Sequence, residues 1–462
     1  MFESAAKARS CVRSLTFTRI TTVAILLATA FLFLALSPQP ASAAAIDHPN
    51  VVLIMVDDLG YHDLGCYGHP TMKTPVIDQL AKDGVRLTSF YAGATVCTPS
   101  RIALLTGSYP SRLGWTKGVV GYMISTKQGL SPKALTIGEI FKQNGYRTGL
   151  IGKWHLGDLP QFRPHRQGFD TTYYINKSNN QTKELWRDDE LLEKPFENRL
   201  LSDKFTQQAI SFIKTNKDKP FFLYLPYTAP HFPAQSHPDW KGKSKFGVFG
   251  DVVEELDHRI GEVLKTLETE NLDKNTIVVF LSDNGPEPGQ KEAKATPYRG
   301  KKWDALEGGT RVPCIVRWPG VVPKGTESDA IIAAIDLLPT LCHTCGIDLA
   351  KASKGGTTID GVDVWDTLTS KPNTIHPRND LLYWHGGNGF QAIRVGDWKL
   401  FLNRKGAKLG GKGSGPALFN LADDIEEQTD LSDKYPDRVK AMKELAERKL
   451  AEINTNVIPL GE

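Results

Sequence analysis

Four short apolar runs in this chain each end abruptly in polar, reactive residues, and this pattern restricts the fold more than any other feature of the sequence. Residues 51–56 run into Asp57-Asp58, and residues 148–151 into Gly152-Lys153-Trp154-His155. Residues 221–225 lead to Tyr227-Thr228-Ala229-Pro230-His231, and residues 277–281 into Ser282-Asp283-Asn284-Gly285. Unbroken apolar runs of this length are expected as strands buried on both faces. Helical patterns lie between them. Thr74-Pro75 supplies an N-cap and a first-turn proline before residues 76–82. Thr136 and Glu139 form a capping box, and Gly145 ends that helix. Val253, Leu256, Ile260, Val263, Leu264 and Leu267 make one apolar helical face. Strands alternating with helices predict an α/β fold, a large and mostly parallel sheet flanked by helices. Ligands of such sheets bind beyond the carboxyl ends of the strands. All four polar clusters fall there, so they are expected to converge on one site.

The 462 residues are enough for one to three domains, and 40% hydrophobic with 23% charged residues is an ordinary globular composition. The formal charge of +4 misleads, because Lys7, Arg9, Arg13 and Arg19 against Glu3 place three of those charges in the first twenty residues. The remainder is nearly neutral, which excludes the electrostatic footprint of a nucleic-acid binder. The basic start precedes an apolar run over 23–36 and Ala41-Ser42-Ala43, the layout of a secretory signal peptide over residues 1–43. The run is short for spanning a bilayer. The expected product is an exported protein, periplasmic or extracellular, with no membrane association after cleavage. Cys11 leaves with the signal, and Cys66, Cys97, Cys314, Cys342 and Cys345 remain. An odd count in an exported chain leaves one cysteine unpaired, with Cys97 the natural candidate. Cys342-His343-Thr344-Cys345 has no second pair and is expected to be a local disulfide or two buried thiols, not a zinc site.

After about residue 370 the texture changes, with a plausible boundary at Lys371-Pro372-Asn373. A catalytic domain over 44–370 and a smaller C-terminal α+β domain over 371–462 are expected. Residues 381–384, 391–395 and 398–402 read as short antiparallel strands, with turns at Gly386-Gly387 and Gly396-Asp397. Residues 408–415 form a Gly/Lys-rich loop, and residues 435–454 a closing amphipathic helix.

The chemistry is read cluster by cluster. Asp57, Asp58, Asp283 and Asn284 offer only oxygen, which suits calcium or magnesium rather than zinc. Adjacent buried carboxylates repel unless a cation neutralises them. Pro99 fits the first turn of a helix, which puts Cys97 at or just before a helix N-terminus, where negative charge is favoured. Arg101 lies one turn on and can reach back. Lys153 and His155 lie two apart on an extended segment, so both can face the site, one as a cation for an anionic oxygen and one as a proton carrier. His231 sits in a loop stiffened by Pro230 and Pro233. Lys302 precedes Glu307-Gly308-Gly309-Thr310-Arg311-Val312-Pro313.

Cys97-Thr98-Pro99-Ser100-Arg101 with Leu105-Thr106-Gly107, Gly152-Lys153-Trp154-His155-Leu156-Gly157, the Asp57-Asp58 strand end, Ala229-Pro230-His231, Ser282-Asp283-Asn284-Gly285 and the segment 307–313 together resemble the type I sulfatases of the alkaline phosphatase superfamily. Leu418-Phe419-Asn420-Leu421 and Glu427-Gln428-Thr429-Asp430-Leu431 resemble that family's C-terminal domain. The resemblance implies an alkaline phosphatase-like fold and hydrolysis of sulfate monoesters. It implies that a maturation enzyme oxidises Cys97 to formylglycine. It further implies one calcium ion bound by Asp57, Asp58, Asp283, Asn284 and the modified Cys97, with Arg101 holding the formylglycine. Lys153 and Lys302 would grip sulfate oxygens, His155 would assist release of sulfate, and His231 would protonate the leaving alcohol. Asp283 would act as base when a hydroxyl of the hydrated aldehyde attacks sulfur, and the second hydroxyl would then expel sulfate. Counting on from Gly168-Phe169, Ser178 falls at a sulfate-contacting position. Sulfated glycans are the expected substrates, with aryl sulfates as artificial ones. Trp384, His385, Asn388 and Arg394 are candidates for a sugar subsite or are ordinary strand and turn residues. The competing readings are a phosphomonoester or phosphonate hydrolase of the same superfamily, and an inactive sulfoglycan-binding protein with an unmodified Cys97. Asn176-Lys177-Ser178 and Asn180-Gln181-Thr182 match the glycosylation pattern but are expected near the site mouth and therefore unused.

Overall fold

A computed structural model describes residues 48–354, 356–369, 376–407, 409 and 415–462. The signal segment, the boundary at Lys371-Pro372-Asn373 and most of the Gly/Lys-rich loop lie outside these residues. The four apolar runs form the strands Asn50–Val56, Arg147–Lys153, Phe221–Pro226 and Thr276–Ser282. They lie side by side in a ten-stranded sheet, in the order Thr276–Ser282, Asn50–Val56, Phe221–Pro226, Arg147–Lys153, followed by Thr171–Ile175. All these neighbours pair in parallel. The parallel centre is that of the expected mostly parallel sheet, and antiparallel pairs toward its flanks make the sheet as a whole mixed. Cys314–Arg317 runs antiparallel to Thr276–Ser282, and Leu185–Arg187 antiparallel to Thr171–Ile175. On the second flank the tight turn at Asp188-Asp189 leads back into Glu190–Glu193, and so short a link can join only antiparallel strands.

Both faces of the central strands are covered, which explains their lack of polar alternation. Val52, Ile54, Leu223 and Phe280 share one core with Val253, Leu256, Ile260, Val263 and Leu267 of the helix Gly247–Thr269. Phe205, Ala209, Phe212 and Ile213 of the helix Leu201–Thr215 complete that layer. On the opposite face Phe222 packs on Phe141 of the helix Ile137–Gln143, ring centroids 4.6 Å apart. The Thr136–Glu139 capping box is present, and Gly145 follows the C-cap with φ 86°. Thr74 takes the N-cap position of Pro75–Lys82, but its hydroxyl bonds Asp78 instead of the helix backbone. The carboxylate of Asp257 caps that helix from a neighbouring one, accepting from the N–H groups of Val76 at 3.1 Å and Ile77 at 2.8 Å. Gly152 has φ 139°, and a Cβ there would stand 2.0 Å from the carbonyl oxygen of Pro226. Only glycine permits that approach between the two strands that deliver Lys153 and His231.

The C-terminal region forms a separate four-stranded antiparallel sheet of Asp380–His385, Gly389–Val395, Trp398–Phe401 and Ala417–Asn420. The helix Pro436–Thr455 packs on it through Met442, Ala446 and Ile453. A buried ionic network ties this sheet to the segment 307–313. The Glu307 carboxylate accepts from Tyr91 at 2.5 Å, Tyr383 at 3.2 Å and Lys399 at 2.9 Å. Lys399 also meets Glu427 at 2.8 Å, and Glu427 accepts from the Glu307 N–H at 2.8 Å. Arg394 belongs to this network, bonding Tyr91 and lying 3.9 Å from Glu307. Trp384 is likewise buried, against Tyr109 and Phe390. Neither residue is available to a sugar, because an arginine and an indole turned inward serve the joint between the two sheets. The chain then returns to early residues. Arg112 meets Glu452 at 2.9 Å, Ile458 N–H donates to the Arg112 carbonyl, and Gly461 pairs with Gly129.

Cys66, Cys97, Cys314, Cys342 and Cys345 are all free. The Cys342/Cys345 pair is thus two buried thiols, and the parity argument does not single out Cys97. Among the described residues no helix is long and apolar enough to cross a membrane.

Burial pushes the Glu307 carboxyl up, but Lys399, Arg394 and Arg311 outweigh it and draw it from 4.5 down to about 2. A depressed carboxyl contributes stability that is present above pH 4.5 and lost as the pH falls toward about 2. Glu307→Gln should unfold at lower urea than the parent at pH 7 and show a weaker pH dependence of stability across that acid window. An unchanged acid dependence would place the titrating group elsewhere.

Candidate active site

The site is assembled by strand register. Val56 pairs with Ser282, so Asp57 and Asp283 leave adjacent strand ends together. The ladder continues one step further through Asp283 N–H to the Val56 carbonyl and Asp57 N–H to the Ala229 carbonyl, both 3.0 Å. Asp58 has φ 69°, which turns the chain so that its N–H donates to Asp283 Oδ1 at 3.2 Å. Asp57, Asp58 and Asp283 are fully buried. Cys97 is the first residue of the helix Cys97–Thr106, behind an extended Val96, as the position of Pro99 implied. Its thiol donates to Asp57 Oδ1 at 3.3 Å.

Three cations answer the three carboxylates. Arg101 donates to Asp283 Oδ2 from Nη2 at 2.8 Å and from Nε at 3.2 Å, and its Nη1 holds the Lys153 carbonyl at 2.9 Å. Lys153 Nζ donates to Asp57 Oδ2, and Lys302 Nζ lies 2.8 Å from Asp58 Oδ2 and 3.1 Å from Glu287. Burial raises the Asp57 carboxyl, yet Lys153, Arg101 and Lys302 outweigh it and hold it well below the ordinary range. Burial raises Asp58, and burial with the charge of Asp57 raises Asp283 to about 7. Burial, then Asp57, pushes the Cys97 thiol far up, so an unmodified Cys97 stays protonated and is a weak nucleophile.

The two histidines are neutral. Burial, then Lys153 and Arg101, depresses His155, and burial with Lys302 lowers His231 to about 3. Hydrogen-bond partners set their tautomers. His155 Nε2 faces the Val120 carbonyl at 3.1 Å and Nδ1 faces Ser178 Oγ at 3.5 Å, so Nε2 carries the proton. His231 Nδ1 faces the acceptors Asn179 Oδ1 at 3.0 Å and Phe232 O at 2.6 Å, which leaves Nε2 unprotonated, 3.5 Å from Asp58 Oδ2.

The donor set fits a hard cation. Asn284 spends its amide N–H groups on Asp58 Oδ1 at 2.7 Å and the Gly285 carbonyl at 2.9 Å. Its Oδ1 is buried and has no hydrogen-bond partner. An orphaned amide oxygen beside three mutually repelling carboxylates is what calcium ligation satisfies. Ligand atoms of Asp57, Asp58, Cys97 and His231 all lie within 4.8 Å of one another.

A cavity of about 210 Å³ opens over this cluster, lined by Cys97, His155, Ser178, His231 and Lys302. Ser178 is thus brought to the site. His385 is not among the lining residues: its Nδ1 accepts from Gly387 N–H at 3.0 Å in the turn after its strand. Asn176 is buried and Asn180 lines the cavity, which agrees with unused glycosylation motifs. Glu287, Asn179, Phe232, Trp303 and Tyr122 were not foreseen. The first four each lie within three residues of a predicted site residue, a usable signal. Tyr122 sits on a turn flanked by Gly121, far from any motif.

A largely parallel α/β sheet carrying a buried acid and base cluster at its strand ends, with a cavity above it lined by Lys302 and two histidines, fits a hydrolase of anionic esters. Residues 49–347 match the model of the sulfatase family. An arylsulfatase from Hemicentrotus pulcherrimus is 34% identical over 386 residues, covering 77% of this chain and 68% of that protein. Human arylsulfatase A is 32% identical over 457 residues, covering 88% of each. The crystal structure of the PsFucS1 sulfatase from Pseudoalteromonas sp. superposes with a TM-score of 0.81 at 26% identity, covering 90% of this chain and 93% of that one. The chain belongs to the sulfatase family and is a sulfuric ester hydrolase.

Calcium added to chelator-stripped protein should raise the melting temperature, since an ion at a hundred times its Kd adds about 2.7 kcal/mol to stability. Asn284→Ala should shrink that shift. An equal shift in both proteins would put the ion elsewhere.

Proposed function

We propose that this protein removes sulfate from sulfated glycans after export, using a formylglycine formed from Cys97 and one calcium ion. The observation that carries the reading is the setting of residue 97, a helix-N-terminal side chain against Asp57 with Arg101, Lys153 and Lys302 close by. Asp57, Asp58, Asp283 and the free Oδ1 of Asn284 would hold the calcium together with residue 97. Bound there, it would supply a fixed positive charge beside the ester oxygens. As its hydrate, a formylglycine offers two hydroxyls on one carbon, one to take up the sulfuryl group and one to release it, whereas a buried thiol offers neither.

The protein's own groups divide the remaining tasks. Lys153 and Lys302 grip sulfate oxygens where negative charge develops. Both are already engaged by carboxylates, so substrate oxygens compete with Asp57 and Asp58 that a cation has partly neutralised. Arg101 orients Asp283, whose carboxylate would take a proton from the attacking hydroxyl. His155 faces the cavity beside Ser178, positioned to help sulfate depart. His231 is held through Nδ1 by Asn179 and the Phe232 carbonyl, and the proton it would deliver to the leaving oxygen is one that Nε2 first takes from solvent through the cavity.

Peptide mass spectrometry around residue 97 should find the aldehyde or its hydrate in place of the thiol. Cys97→Ala should lose turnover of an aryl sulfate by more than about a thousandfold, the scale of losing a covalent nucleophile. It should keep its far-UV spectrum and calcium-dependent thermal shift. Parent-like turnover in that variant refutes the proposal. Faster hydrolysis of an aryl phosphate than of the matching aryl sulfate would favour the phosphoester alternative.

A further inference from the structure

The outer half of the active-site cavity is lined by groups that the proposed chemistry leaves idle. Tyr122, Phe232 and Trp303 give it an aromatic wall. Tyr122 at 58% and Phe232 at 55% are the most exposed large hydrophobic side chains among the described residues. Single exposed apolar residues are ordinary, but two meeting at one cavity mark a binding surface. The Tyr122 and Trp303 rings meet edge to face, centroids 5.6 Å apart.

Trp303 also has φ 82°, a left-handed backbone that a bulky residue holds only when its surroundings impose it. Its N–H donates to the Thr95 carbonyl at 2.9 Å. Its carbonyl accepts from Gly386 N–H at 3.1 Å and the Thr95 hydroxyl at 3.3 Å. The structure spends backbone strain to keep this indole at the mouth.

Among the described lining residues Lys302 is the one lysine or arginine and Glu287 the one carboxylate. Lys302 is already shared between Asp58 and Glu287. A second anionic group on a substrate would therefore meet the Glu287 carboxylate with no unshared lining cation to offset it. Hydroxyls, by contrast, can bond Glu287, Asn180 and Gln181.

We propose that this outer half is a leaving-group subsite for an uncharged ring stacked on Tyr122 and Trp303, and that Glu287 selects against substrates with a second anionic group near the scissile ester. The proposal rests on the sulfatase reading above and names the substrate class within it: singly sulfated, otherwise neutral residues. Aromatic faces suit the apolar face of such a ring, and like charges across a partly buried contact discourage the wrong partner.

The test uses the mature protein and two aryl sulfates that differ only in carrying a meta-carboxamide or a meta-carboxylate, with sulfate release as the readout. The carboxamide should be preferred in kcat/KM by about tenfold, and the preference should shrink as salt rises. Glu287→Gln should reduce that ratio at least about threefold, a comparison in which intrinsic differences between the two phenols cancel. Tyr122→Ala, at an exposed position, should raise KM for the carboxamide about tenfold with the residue-97 aldehyde still present by mass spectrometry. Preference for the carboxylate, or a ratio indifferent to both salt and Glu287→Gln, overturns the proposal. If Glu287→Gln fails to fold, the parent ratio and its salt dependence decide alone. Failure to hydrolyse either ester overturns the sulfatase reading itself, an outcome distinct from hydrolysis without discrimination.

Discussion

The in-register pairing of Asn50–Val56 with Thr276–Ser282 is the constraint from which the site follows. Because Val56 stands opposite Ser282, the next residues are carboxylates on both strands, and Asp58 adds a third. Burying three such charges without partners would cost several kcal/mol each. The rest of the local architecture answers that cost. Arg101 comes from a helix, Lys153 from the end of a third strand, and Lys302 from a long loop, each ending on a different carboxylate. Electrostatic necessity thus dictates where three otherwise unrelated segments must finish. It also leaves the buried Asn284 Oδ1 without a protein partner, free to meet the proposed ion.

A second constraint acts at longer range. Glu307 anchors the short segment behind the active-site loop to the C-terminal sheet through Lys399, Tyr383 and Arg394. Gly285, next to Asn284, donates its N–H to the Gly309 carbonyl at 3.0 Å in that same segment. The antiparallel sheet therefore supports the strand end that carries Asp283 and Asn284 without contributing a residue to the described cavity lining.

The central sheet was legible because buried parallel strands advertise themselves as unbroken apolar runs, and the site because its residues follow those runs directly. Asp57, Lys153, His155, His231 and Asp283 meet at the strand ends to which the apolar runs pointed, whereas Cys97 and Arg101 reach the site from a helix and Lys302 from a loop. Ser178, placed by counting alone, also reaches the cavity. What escaped depended on partners distant in sequence. Thr74 looks like a helix cap, but Asp257 does the capping from another helix. Arg394 and Trp384 have the composition of a sugar site, yet a buried glutamate and two aromatic rings claim them first. The flanking antiparallel strands escaped because runs of three or four residues carry too little pattern. Cysteine parity misled because all five remaining thiols are unpaired.

The return of the chain's end to its beginning has a consequence for assembly. The turn that follows the residue-97 helix is closed by the Arg112–Glu452 pair, whose partners lie 340 residues apart, and by the bond from Ile458. During synthesis those later residues emerge long after the helix they close. The helix that starts at Cys97 and the turn behind it must therefore wait, incompletely enclosed, through most of translation. Residue 97, only 2% exposed in the finished protein, heads that helix.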